Sequence, residues 1–221
     1  MDAGRSLLLD TCAIINLSYC QPVAAIFRTR YAGSAGWVRA AHAELVRQRG
    51  RRPPHPQAGR AANWAATWLG VPIEITDDEL VLATAHIQRD IAAGSADSAL
   101  DHLGEAASIA LLQAAGVGRL ITDDHAARGE ARRRGLRASS TVGVIAQLLT
   151  IDGSGIDTAL ADTYLQTLQS ERRMHVQLKS AHLIAGDLGP WRLFSRNFGA
   201  DVTSRFLERA LAVRLGRLLH G

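Results

Sequence analysis

Aromatic side chains are scarce in this chain: Phe, Trp and Tyr make only 5% of its 221 residues. Its core must therefore be filled by Ala, Leu, Val and Ile, which dominate the 47% apolar fraction. Cysteine is rarer still. Cys12 and Cys20 are the only two, and their spacing offers neither a zinc pattern nor a disulfide framework. They predict reduced, buried thiols in a cytoplasmic protein. Long apolar runs are also missing. Leu7 to Leu9 is cut off by Asp10 before it could serve as a signal peptide, and nothing reaches the length of a membrane span. The net charge is only +4, and almost all the positive charge is arginine, a balance that suits a polyanionic partner without requiring one. Internal repeats and low-complexity tracts are absent. So are a Gly-x-Ser-x-Gly elbow and a phosphate-cradling P-loop, which argues against acyl transfer and P-loop kinase chemistry. An Asp-x-Asp phosphatase fails at Cys12, where its second Asp should stand.

What the chain does have is a helix–strand unit with carboxylates at both ends, residues 101–124. Ala107, Ile109, Ala110, Leu111, Leu112 and Ala114 predict an apolar, alanine-rich helix, which Gly116 and Gly118 stop. Arg119 to Thr122 then reads as a short buried strand. Asp101 and Glu105 are four apart and share a helix face. Asp123 and Asp124 leave the strand at its C-terminal end, where open parallel sheets bind ligands.

The rest of the chain can be placed around that unit. Ser6 to Leu9 is a continuous apolar run, as in a strand buried on both faces, and Thr11 can cap a helix through Leu17. Asp10, closing the strand, reads either as a helix-capping Asp or as a metal ligand. Val23 to Arg30 is helical, Trp37 and Val38 suggest a short strand, and His42 to Arg47 is helical again. Glu44 lies there among apolar residues, either on a solvent face or in a site. Residues 49–60, with Pro53, Pro54 and Pro56 among arginines, predict an irregular, positively charged loop. Trp64 and Trp68, four apart, are expected in the core.

Pro72 to Thr76 alternates as a strand does, and Thr76 with Glu79 reads as a capping box for a helix from Asp77 to Ile91. Beyond Asp124 a helix from His125 to Arg134 should carry Arg128, Arg132, Arg133 and Arg134 on or near its exposed side. Leu136 to Ser139 reads as a last strand and Val142 to Leu149 as a last helix. His42, His102 and His125 lie beside the acids, and for these an ordinary exposed histidine is the favoured reading. The alternation of strands and helices over residues 6–149 predicts a three-layer α/β fold with a mainly parallel sheet. Past the glycine-rich joint at 151–155, two amphipathic helices at 156–181 and 201–219 predict a C-terminal helical extension, giving domains 1–150 and 151–221. The apolar stripe of the extension must be covered. Docking onto the body with homodimer contacts is the expected solution.

Asp10, Glu44, the Asp101/Glu105 pair and the Asp123/Asp124 pair can thus lean over one crevice. Several carboxylates together repel one another, and a hard divalent cation relieves that repulsion. In this pattern the chain resembles the PIN-domain family of metal-dependent nucleases, through LLLDTCAIINL at 7–17, HAEL at 42–45 and LGEAASIALLQAAGVGRLITDDHAARGEARRRGL at 103–136. The resemblance covers about residues 5–150. It implies Mg²⁺ or Mn²⁺ as cofactor, single-stranded RNA as the usual substrate and, in many bacterial members, a VapC-like toxin paired with an antitoxin. Asp10 would be the family's first acid and Glu44 its second. Glu105 would be the third, with Asp101 as the alternative, and Asp123 or Asp124 the fourth. The proline–arginine loop and the helical extension lie outside a minimal toxin. Arg49, Arg51, Arg52, Arg60, Arg132, Arg133 and Arg134 are expected to hold the RNA backbone. The competing reading is a non-catalytic PIN-fold module that binds RNA or a protein partner.

Overall fold

A computed structural model describes residues 6–19, 21–50, 57–93, 102–141 and 144. Among them are four strands and seven helices in the order β1 (Leu7–Leu9), α1 (Thr11–Ser18), α2 (Gln21–Arg30), β2 (Ala35–Gly36), α3 (Arg39–Gly50), α4 (Ala58–Leu69), α5 (Asp78–Ala93), α6 (Leu103–Ala114), β3 (Arg119–Ile121), α7 (His125–Arg133) and β4 (Arg137–Ser139). The chain divides into two compact units, residues 1–18 with 28–141 and residues 19–27 with 142–221. The sheet and the acids belong to the first. Of the helix expected at 142–149 only Val144 is described, and it is helical and buried; both helices of the extension and the joint at 151–155 lie outside the described residues.

All four strands run parallel, in the order β2-β1-β3-β4. Leu8 is paired with Gly36 on one side and Leu120 on the other, and Ile121 with Ser139. Parallel pairs need crossover connections, here supplied by helices, so the architecture is α/β and compatible with three layers. The chain leaves β1 towards β2 on one side and leaves β3 towards β4 on the other. The connections thus diverge above the C-terminal ends of β1 and β3, the place where open parallel sheets generally bind ligands.

Small side chains let the layers approach closely. Leu8, Val38, Ala41, Ile87, Ile91, Ala106, Ile109 and Leu120 belong to one buried cluster. A Cβ at Gly104 would sit 3.4 Å from the Ala41 Cα, so that glycine sets how near α6 comes to α3. Gly118 has φ +133° and its missing Cβ would lie 2.8 Å from the Ser6 carbonyl oxygen. Only glycine fits there, where the chain turns into β3 and the Arg119 N–H donates to that carbonyl at 2.8 Å.

Several local expectations give way to tertiary partners. The strand expected at Pro72 to Thr76 reduces to one bridge, Ile73 to Val38, because the Ile73 N–H and carbonyl meet only Trp37 and Arg39. The strand expected at Trp37 and Val38 lies two residues earlier. Trp37 is instead wholly buried, donating its indole N–H to the Gly70 carbonyl at 2.9 Å. Asp77, not Thr76, caps α5, accepting the Leu80 N–H at 3.0 Å. Trp64 and Trp68 are half-buried and pack on each other with ring centroids 5.0 Å apart, rather than filling the core. The stretch 49–60, expected as a loop, is helical at both ends, with Arg49 in the last turn of α3 and Arg60 in the first turn of α4. Cys12 is a half-buried reduced thiol rather than a buried one. No helix among the described residues is long and apolar enough to cross a membrane.

Candidate metal centre

Asp10 follows β1 directly and is fully buried. One carboxylate oxygen caps α1 by accepting the Ala13 N–H at 2.6 Å, and the other accepts the Thr122 hydroxyl. The cap is therefore Asp10 rather than Thr11. Capping and a functional role are not alternatives here, because capping one oxygen fixes the direction of the whole carboxyl group. The Asp10 N–H donates to the Ile121 carbonyl at 3.1 Å, so the two strands deliver Asp10 and Thr122 side by side.

The residues after β3 are arranged just as tightly. The Thr122 hydroxyl also accepts the Asp124 N–H at 3.0 Å, tying both strand ends together. Asp124 caps α7 through the Ala127 N–H at 2.7 Å, which leaves its second oxygen directed at His102. Asp123 accepts the Thr141 N–H at 2.9 Å on one oxygen, and the Asn16 amide and Thr141 hydroxyl on the other. Arg128 is buried and donates to the Thr122 carbonyl at 2.8 Å. Burial pulls its guanidinium below the usual value, while the charges of Asp123, Asp10 and Asp124 hold it up. The expectation that Arg128 lies on or near the exposed side fails because its guanidinium turns inward to the Thr122 carbonyl, where the charges of Asp123, Asp10 and Asp124 favour it.

Two more acids come from the helices. Glu44, half-buried on α3, accepts the Thr11 hydroxyl at 2.7 Å and the Gln48 amide at 2.8 Å, which turns it inward rather than to solvent. Glu105, in the first turn of α6, is only 4% exposed, and its Oε2 has no hydrogen-bond partner among the described residues. Asp101 lies outside the described residues. His102 is likewise buried, not an exposed histidine, and its Nδ1 stands 3.6 Å from an Asp124 oxygen. His125 is exposed, and His42 stands edge-on to Trp37.

The carboxylates feel one another. Burial pushes Asp10 up to about 7, and the charges of Asp123 and Glu44 add to it, against hydrogen bonds from Thr122 and Ala13 that pull it down. Burial also holds Glu105 well above the ordinary carboxylate range, with Asp10, Glu44 and Asp124 contributing. Such a cluster is electrostatically unfavourable when ionised. Oxygen donors, fixed orientation and the orphaned Glu105 oxygen fit a hard divalent cation.

The arginines expected to hold RNA are scattered. Arg49 and Arg60 are exposed near the α3–α4 connection, while Arg51 and Arg52 lie outside the described residues. Arg132 donates to the Ala138 carbonyl at 3.2 Å and Arg133 pairs with Glu130 at 2.5 Å. Arg134 is engaged by Asp90 at 2.7 Å and by Glu130 at 2.5 Å. Those contacts supply a structural role for its charge.

Thr11, Asn16, Thr122 and Arg128 organise the site, yet no sequence motif marks them for that role. Asn16 does leave a signal, as an amide in the apolar run Ile14 to Leu17: a buried amide must find a partner. Compared with known protein families, with curated proteins and with solved structures, the chain matches none.

Proposed function

We propose that this chain is a metal-dependent endoribonuclease of the PIN type, with Mg²⁺ or Mn²⁺ held by Asp10, Glu44, Glu105 and the Asp123/Asp124 pair. The observation that carries this reading is the meeting of Asp10 and Asp124 through Thr122, at the point between β1 and β3 where the connections diverge. Two further acids lean in from α3 and α6, and burial among these charges lifts Asp10 to about 7. Ionised together without a cation, these acids repel one another at a cost to the fold. Such an arrangement suits a site that binds a cation.

When bound there, a divalent cation supplies charge neutralisation at a phosphodiester and a water acidified for attack. The residues do the rest by orientation. Ala13 and Thr122 hold the Asp10 carboxylate in one direction, Thr11 and Gln48 do so for Glu44, and Asn16 and Thr141 for Asp123. Positioned carboxylates of this kind lower the reorganisation needed during phosphoryl transfer. The positive charge of the buried Arg128 offsets part of the repulsion among Asp123, Asp10 and Asp124. Arg49 and Arg60 are the exposed cations proposed to hold the RNA backbone.

The test is cleavage of end-labelled single-stranded RNA by the full chain with Mn²⁺, with Mg²⁺ or with EDTA. Cleavage that needs the cation and drops about a hundredfold or more in Asp10→Asn supports the reading. Cleavage that persists in EDTA, or is equal in the variant, refutes it.

A further inference from the structure

The corner of the site formed by His102, Glu105 and Asp124 is not purely oxygen. One donor atom from each of the three lies within 4.8 Å of the others. His102 precedes α6 as its N-cap residue but makes no capping bond with its side chain. It is 2% exposed, and neither ring nitrogen has a hydrogen-bond partner among the described residues. Buried imidazoles nearly always satisfy at least one nitrogen. This one instead stands three residues before Glu105, so the two side chains sit on one side of the helix start. Glu105 adds a further buried atom without a hydrogen-bond partner among the described residues, Oε2. Asp124 has its first oxygen committed to Ala127 and its second 3.6 Å from His102 Nδ1, too far for a hydrogen bond. Two donors held at about 2.1 Å from a shared ion at a tetrahedral angle stand about 3.4 Å apart, close to the 3.6 Å between His102 Nδ1 and the Asp124 oxygen.

We infer that His102, Glu105 and Asp124 form a nitrogen-bearing ligand set that selects a first-row transition-metal ion over Mg²⁺. This rests on the metal-nuclease reading and narrows it. Mg²⁺ takes oxygen ligands and keeps its waters, so an imidazole in its coordination shell is a poor match. Mn²⁺, Co²⁺ and Zn²⁺ accept imidazole nitrogen beside carboxylate oxygen, with affinity rising from Mn²⁺ to Co²⁺. The capped Asp124 is already oriented for such a role, as carboxylate ligands usually are by a second hydrogen bond.

The test uses the full-length protein stripped of metal. Pulsed electron paramagnetic resonance of bound Mn²⁺ reads ¹⁴N coupling directly in the unaltered chain. Calorimetry then compares Co²⁺ and Mg²⁺ binding between wild type and His102→Gln. The expected results are ¹⁴N coupling, and a loss of about tenfold or more in Co²⁺ affinity in the variant with Mg²⁺ affinity unchanged. Mn²⁺ bound without ¹⁴N coupling, and a variant that binds both ions as wild type does, would overturn the inference while leaving the carboxylate site intact. His102 would then be only the buried partner of Asp124. No binding of any ion by wild type overturns this inference and the nuclease reading together. If His102→Gln fails to fold, the ¹⁴N measurement on the wild type decides.

Discussion

Replacing Asp10 by Asn should stabilise the metal-free protein at alkaline pH, although it removes the central acid. Asp10 is fully buried and its carboxyl is lifted from 3.8 to about 7. A group whose folded pKa is raised binds its proton more tightly in the fold than in the unfolded chain. Its stabilising effect is complete below about pH 4 and is lost as pH climbs towards 7. At about 1.4 kcal/mol per pH unit, that lift corresponds to about 4 kcal/mol, of which about 2–3 kcal/mol falls between pH 5 and pH 8. Asparagine has nearly the same shape, accepts the Ala13 N–H through its carbonyl, and carries no charge to desolvate. Urea unfolding in EDTA, run on both proteins at pH 5 and pH 8, gives the comparison. Packing effects of the substitution that do not vary with pH cancel in the difference between the two conditions. That leaves an advantage to the variant about 2–3 kcal/mol larger at pH 8. Glu105 shifts in the same direction in both proteins and so does not reverse that difference. A variant no better relative to wild type at pH 8 than at pH 5 would refute the buried, mutually repelling cluster.

The same geometry sets three further outcomes. Gly118→Ala places a methyl group 2.8 Å from the Ser6 carbonyl oxygen at a φ of +133°, and should lower stability by about 2 kcal/mol or more in thermal unfolding. Thr122→Val removes the hydroxyl that joins Asp10 to the Asp124 N–H, and should weaken Mn²⁺ binding about ten- to a hundredfold by calorimetry. Arg49→Gln with Arg60→Gln should lower the salt slope of log K for single-stranded RNA by about 1.4, whereas Arg134→Gln, whose partners are Asp90 and Glu130, should change melting temperature and not that slope.

The parts of this fold legible in the sequence are those that local chemistry dictates. Leu7 to Leu9, closed by Asp10, and the buried Leu120 and Ile121, followed after Thr122 by two acids, belong to neighbouring parallel strands. The alanine-rich α6 stops before Gly116 and Gly118 as helix propensity requires. What stays hidden is what depends on distant partners. The alternation of Pro72 to Thr76 satisfies the rule for a strand, yet only Ile73 finds a strand-like neighbour, across the Trp37–Arg39 segment. Arg128 and Arg134 look like surface charge in one dimension, and only the fold sets the acids after β3 and on α5 against them. Thr11 and Thr122 are unremarkable as residues until two strand ends and a helix bring each hydroxyl to a carboxylate.

The central claim, that carboxylates gathered where the sheet's connections diverge hold a divalent cation, is tested most directly by titrating Mn²⁺ into metal-free wild type and Asp10→Asn in a calorimeter. Binding by the wild type and a loss of about a hundredfold or more in the variant are predicted. Equal affinity in the two proteins would contradict the claim.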